Sequence, residues 1–139
     1  MSTGKTRSII GWVDDRRRPL INLRVWRERD VCALVDTGFN GYLLWEASEG
    51  DGADFPGELS ALYESVEVAG GQVLAALAST NIEWFGEAGV YSGVETLVAL
   101  SGKRHRAGDP IVYVGTALLS GATLVVDFLA STLRIESNR

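Results

Sequence analysis

The stretch CALVDTGFNGYLLW, residues 32–45, joins an apolar run to a turn bounded by glycines, with one acidic residue at the seam. Ala33, Leu34 and Val35 have the composition of a buried strand, and Asp36 stands at its end. A carboxylate in that position costs free energy unless it is hydrogen-bonded or chemically employed. Aspartate also collects in turns, because its side chain accepts local backbone N–H groups, and Gly38 and Gly41 suit a tight turn. Taken alone, Asp36-Thr37-Gly38 leaves both possibilities open, a turn-former or a reactive carboxylate.

Outward from this stretch the chain reads as strands and turns. SIIGWV (8–13) is a short strand and DDRRRP a polar turn. LINLRVW (20–26) alternates, with Leu20, Asn22, Arg24 and Trp26 on one side and Ile21, Leu23 and Val25 on the other, the period of a half-buried strand. With RERD as a charged connection, residues 20–35 form a hairpin that leads straight into Asp36. GYLLW extends a strand away from the turn, and PGELSALYES (56–65) carries mixed signals for a short helix. SVEVAGGQVLAALAS (65–79) holds two strand-like arms around Gly70-Gly71, a hairpin signal because glycine reaches positive φ at little cost. NIEWFG and VETLVALSG continue the strand pattern. PIVYVG is a buried strand ending at Gly115, TALLSG a helical turn closed by Gly121, and ATLVVDF and STLRIE a last strand pair. No repeat, low-complexity tract or linker interrupts the chain, which predicts a loose tail over 1–8 and one domain over 9–139.

Composition narrows the class. The chain has 139 residues, 46% hydrophobic and 22% charged, enough to bury a core without disulfides or metal. Its 16 glycines against 3 prolines favour an all-β, mainly β protein over a helical bundle. A net charge of −5 gives no general basic footprint, and Arg16-Arg17-Arg18 reads as a solvated hairpin tip, so no nucleic-acid partner is expected. One cysteine, Cys32, and one histidine, His105, cannot build an internal disulfide or a protein-only zinc site. Cys32 reads as a buried inert thiol and His105 as a loop residue, and no metal or cofactor is expected. The start MSTGKTRS lacks an apolar signal core, and no apolar run approaches a membrane span, which predicts a cytoplasmic protein with no membrane partner. Gly4-Lys5-Thr6 lacks the upstream glycine and strand of a phosphate loop. An Asp-x-Gly turn also occurs in actin-like ATPases, but those need a longer chain and further phosphate loops.

ALVDTGFNGYL, VEVAGGQV and VGTALLSGATLVVDF, in that order and spacing, resemble the catalytic loop, flap and closing segment of the retropepsin-like aspartic proteases, in particular the small bacterial single-domain members. The likeness runs from about Pro19 to Glu136. It implies a closed β-barrel with one short helix near 116–120 and a flap hairpin near 66–78. It makes Asp36 the catalytic carboxylate, Thr37 a brace bonded across to its counterpart, and Gly38 the point where backbone approaches the carboxylate pair. Phe39 would line the cleft, Asn40 would contact substrate backbone, and Ala69, Gly70 and Gly71 would form the flap tip. Gly115 would sit at the strand-to-helix crossing behind the site. Thr116 and Ala117 stand where the viral enzymes carry a dimer-bracing arginine and then a polar residue.

Aspartic proteolysis needs two facing carboxylates, one acting as base on a water and the other supplying a proton to the substrate carbonyl. Here Asp36 alone follows an apolar strand and precedes Thr-Gly or Ser-Gly; Asp127, in VVDF, reads as structural. The resemblance therefore implies a homodimer with Asp36 from each subunit at a two-fold axis, acting on a peptide or protein substrate. A catalytically silent peptide-binding module with the same fold is the alternative. The acidic stretch at 46–58 reads as a solvated loop.

Overall fold

The computed structural model describes residues 7–25, 29–48, 55–60, 62–68, 71–86, 90–100 and 109–138. Among them, ten strands form one mainly antiparallel sheet with a single short helix: β1 (Ser8–Val13), β2 (Pro19–Val25), β3 (Arg29–Val35), β4 (Leu43–Glu46), β5 (Tyr63–Val68), β6 (Gly71–Glu83), β7 (Val90–Ala99), β8 (Val112–Val114), α1 (Thr116–Leu119), β9 (Ala122–Asp127) and β10 (Thr132–Ser137). The strand order is β5-β6-β7-β4-β8-β3-β2-β1-β10-β9. The far end of β6 also pairs with β2, through Arg24 with Glu83 and Val25 with Ile82, so the sheet curls back on itself. Trp26, Gly4, Lys5, Thr6 and His105 lie outside the described residues.

The period-two pattern explains which face is inside. Ile21, Leu23 and Val25, the side of β2 expected to be apolar, are buried, as are Val31, Ala33 and Val35 of β3. They join Leu43, Trp45, Val98, Val112, Val114, Leu118, Leu133 and Ile135 in the main core. Each fully buried Val, Leu or Ile contributes about 1.5–3 kcal/mol relative to exposure, so this face carries the fold. Thr80, Thr96 and Ser137 are the buried polar residues among those described. The Thr96 hydroxyl donates to Val94 O at 2.9 Å, so in its 2.8 Å contact with Thr80 it must accept, and both groups are satisfied.

Two local expectations need correction. Arg29 and Asp30, expected in the β2–β3 connection, belong to the ladder, opposite Val25 and Arg24. Described residues of the 56–65 stretch form no helix. Phe55 is buried edge-on against Trp45, and the backbone then runs beside β6, with Ser60 N–H donating to Leu77 O and Leu77 N–H to Leu62 O. Pro56 and Gly57 follow the anchor, and pairing outweighs the weak local helix signal. No described helix is long and apolar enough to cross a membrane.

Candidate active site

Strand β8 lies between β3, to which it is parallel, and β4, to which it is antiparallel. The loop from β3 to β4, residues 36–42, must therefore arch over the end of β8. Four backbone hydrogen bonds fasten it there. Asp36 N–H donates to Val114 O at 2.9 Å and Gly115 N–H to Tyr42 O at 3.0 Å. Thr116 N–H donates to Phe39 O at 2.8 Å and Ala117 N–H to Gly41 O at 3.2 Å. Gly115 is buried at the crossing. A Cβ there would meet Phe39 Cδ2 at 2.6 Å and Phe39 O at 2.7 Å, with Gly41 O closer still. Two chain segments can cross this tightly only because no side chain separates them.

Within the arch, Asp36 is both a turn-former and an accessible acid. Its carbonyl accepts Phe39 N–H at 3.1 Å, and its Oδ1 accepts Gly38 N–H at 2.9 Å. The side chain is half-buried, whereas Thr37, Gly38 and Asn40 are exposed. The carboxylate is thus aimed by a backbone donor without being enclosed. Among the described residues the Thr37 hydroxyl has no hydrogen-bond partner.

Phe39 turns away from the exposed residues. It packs with Val66, Val73, Leu77 and Tyr113 against a second apolar cluster of Leu44, Ala75, Leu97 and Ala99, on the sheet face opposite the main core. Val66 and Val73 are cross-strand partners in the β5–β6 hairpin, so this hairpin and the Asp36 loop share one apolar surface. The hairpin ladder ends at Val68 opposite Gly71. Gly71 thus opens β6, while Ala69 and Gly70 lie outside the described residues.

Two residues on this surface were not singled out from sequence. Burial pushes the Tyr113 phenol well above the usual tyrosine range, and the Glu46 carboxylate that accepts its hydrogen bond pushes it further. Glu46, expected in a solvated loop, is instead half-buried against Tyr113. Alternation along β4 held the signal: Glu46 shares a face with Leu44, which lies directly opposite Tyr113.

No other described aspartate stands on the arch. Asp14 lies in the β1–β2 turn, where its carboxylate accepts Arg16 and Arg18 N–H groups and pairs with Arg18, which also reaches Asp109. Asp30 is at the opposite end of β3 from Asp36. Asp127 caps the β9–β10 turn by accepting Leu129 and Ala130 N–H groups at 3.0 Å, the structural role expected of it. Cys32 is half-buried rather than buried, and burial raises its thiol above the ordinary value, which keeps it in the unreactive form. No group of three or more metal-ligating side chains occurs among the described residues. A concavity of about 350 Å³ between β2 and the end of β6, lined by Arg24, Asp30, Glu83 and Trp84, contains no residue of the arch. No protein-family model matches the chain, and no curated protein matches it significantly.

Proposed function

We propose that the chain is an aspartic endopeptidase of retropepsin type, active as a symmetric homodimer in the cytoplasm. The observation that carries this is the arch: a half-exposed carboxylate aimed by Gly38 N–H, on a loop bonded to β8 and α1 on both sides of Gly115. The pairing of β6 with both β7 and β2 supports the closed barrel that the resemblance implies. The shared surface of Phe39 with Val66 and Val73 supports the β5–β6 hairpin as a flap over the cleft.

In the dimer, the two Asp36 carboxylates face each other and share one proton, because like charges at contact distance do not both ionise readily. The ionised carboxylate takes a proton from the bound water as the water oxygen attacks the peptide carbonyl carbon. The protonated one gives its proton to the carbonyl oxygen. The resulting tetrahedral diol collapses as its carbon–nitrogen bond breaks, with a proton delivered to the leaving nitrogen. Phe39 and the flap arms hold the substrate, with Asn40, Ala69, Gly70 and Gly71 contacting its backbone. The unpartnered Thr37 hydroxyl bonds to the same loop of the other subunit.

The second reading, a silent peptide-binding module, draws on a specific fact: one chain supplies one carboxylate to the arch, and among the described residues β5 stands at the edge of the sheet, a place for strand addition. A peptide-library digest at mildly acidic pH separates the two. Cleavage by wild type that is abolished in Asp36→Asn and Asp36→Ala supports the peptidase. Cleavage that survives both changes contradicts it, and binding without any cleavage favours the module.

A further inference from the structure

We infer that the groove bounded by Tyr42, Tyr91 and Glu95 is a subsite for the cationic side chain of a lysine or arginine near the scissile bond of the substrate. This rests on the peptidase proposal for its role, but the groove's chemistry can be tested without it. The groove measures about 430 Å³ and is completed by Ser92, Gly93 and Val94. Tyr42 and Tyr91 are 43% and 44% exposed, so both side chains are accessible to a ligand in the groove. Two tyrosine rings beside a carboxylate suit a cation, which gains from ring faces and from opposite charge together. Among the described residues Glu95 has no ion pair of its own. The chain's net charge of −5 favours a basic segment over an acidic one.

Its position ties it to the cleft. β4 and β7 run parallel with Leu43 opposite Thr96 and Leu44 opposite Leu97. Tyr42 and Glu95 each precede the Leu43–Thr96 pair by one residue. By alternation they continue the face of Leu44 and Leu97, the same apolar surface that Phe39 and the flap arms share. Tyr42 O and Asp36 N–H bond to consecutive residues at the end of β8, so the two residues flank that strand at about two strand spacings, roughly 10 Å. An extended peptide covers that in about three residues. The groove's rim is set by Gly93, whose φ of +66° turns β7 and whose N–H donates to Asn81 Oδ1 at 2.7 Å. No atom lies within 4 Å of where its Cβ would stand, which leaves that wall open.

Two experiments on the full chain test this. In the first, Asp36→Asn protein is titrated with acetyl-arginine amide and with the uncharged isostere acetyl-citrulline amide, while the Tyr42 and Tyr91 ring resonances are followed by NMR. Both rings should shift with the arginine probe at about tenfold lower concentration, as one cation–π contact and one exposed ion pair predict. Adding Glu95→Gln should bring the two probes close to equal. Equal binding of the probes, or shifts confined to other residues, would overturn the site. In the second, wild type digests a peptide library. Lysine or arginine should be enriched two to four residues from the cleaved bond, and Glu95→Gln should remove the enrichment. A cleavage profile indifferent to basic residues overturns the subsite role. No cleavage together with a persistent arginine preference counts against the peptidase and leaves the cation site standing.

Discussion

Replacing Gly115 by alanine isolates the contact on which the candidate site depends. The new Cβ would lie 2.6 Å from Phe39 Cδ2 and 2.7 Å from Phe39 O, and closer still to Gly41 O. The phenylalanine ring can rotate aside, but two backbone carbonyls cannot, so the arch must lift off β8. Lifting weakens the bonds from residues 115–117 to Tyr42, Phe39 and Gly41. Partial loss of three bonds worth about 1 kcal/mol each, with overpacking of about 1–3 kcal/mol, gives a destabilisation near 3 kcal/mol. For a chain of this size that lowers Tm by about 10 °C. Gly11→Ala is the matched control, because its Cβ would collide with Leu20 O and Ile21 Cγ2 in β2, away from the arch. Thermal melts of both variants, with kcat/KM measured well below both melting points, separate stability from site geometry. Gly11→Ala should lose Tm and keep its turnover, while Gly115→Ala loses both. A Gly115→Ala protein with Tm within about 2 °C of wild type, or with undiminished turnover, would refute the account of the arch.

Other expectations follow from the same contacts. Burial pushes Asp14 up, but the Arg18 and Arg16 backbone N–H groups and the Arg18 guanidinium outweigh it and hold the carboxyl below its ordinary value of 3.8. A depressed carboxyl contributes stability above its unfolded value, lost as pH falls through the folded one. The stability gap between wild type and Asp14→Asn should therefore be widest near neutrality and close in acid, as read by urea melts across pH; a gap constant with pH would contradict it. Thr37→Val keeps the side-chain shape and removes the hydroxyl proposed to bond across the dimer. It should weaken the dimer about tenfold by sedimentation equilibrium, and an unchanged dimer would assign the hydroxyl to solvent.

Much of the arrangement was legible in the sequence because each signal was local. The alternation of Leu20 to Val25 set the buried face of β2, Gly121 closed the helical turn at a φ of +80°, and Asp36 with Gly38 formed the turn expected of them. What escaped was set by partners distant in the chain. Leu59 and Ser60 carry helix-compatible residues, yet Phe55 and the backbone of β6 hold that segment extended. Glu46 looked like part of an acidic loop, and only the β4–β8 register puts it against Tyr113. Tyr42 and Glu95 are far apart in sequence and meet through the parallel β4–β7 pairing, which no local pattern announces. Gly115 was anticipated as a crossing residue, but how closely Gly41 and Phe39 approach it is visible only in three dimensions.

The central claim is that one active site is built from two copies of Asp36. Mixing wild type with Asp36→Asn, after allowing subunits to exchange, tests it most directly. If each site needs both carboxylates, mixed dimers are inactive, and peptidase activity per wild-type subunit falls to about half at equal concentrations and further as the variant is added in excess. Activity per wild-type subunit that stays constant at every ratio, under confirmed exchange, would mean that one chain carries the chemistry alone and would contradict the account.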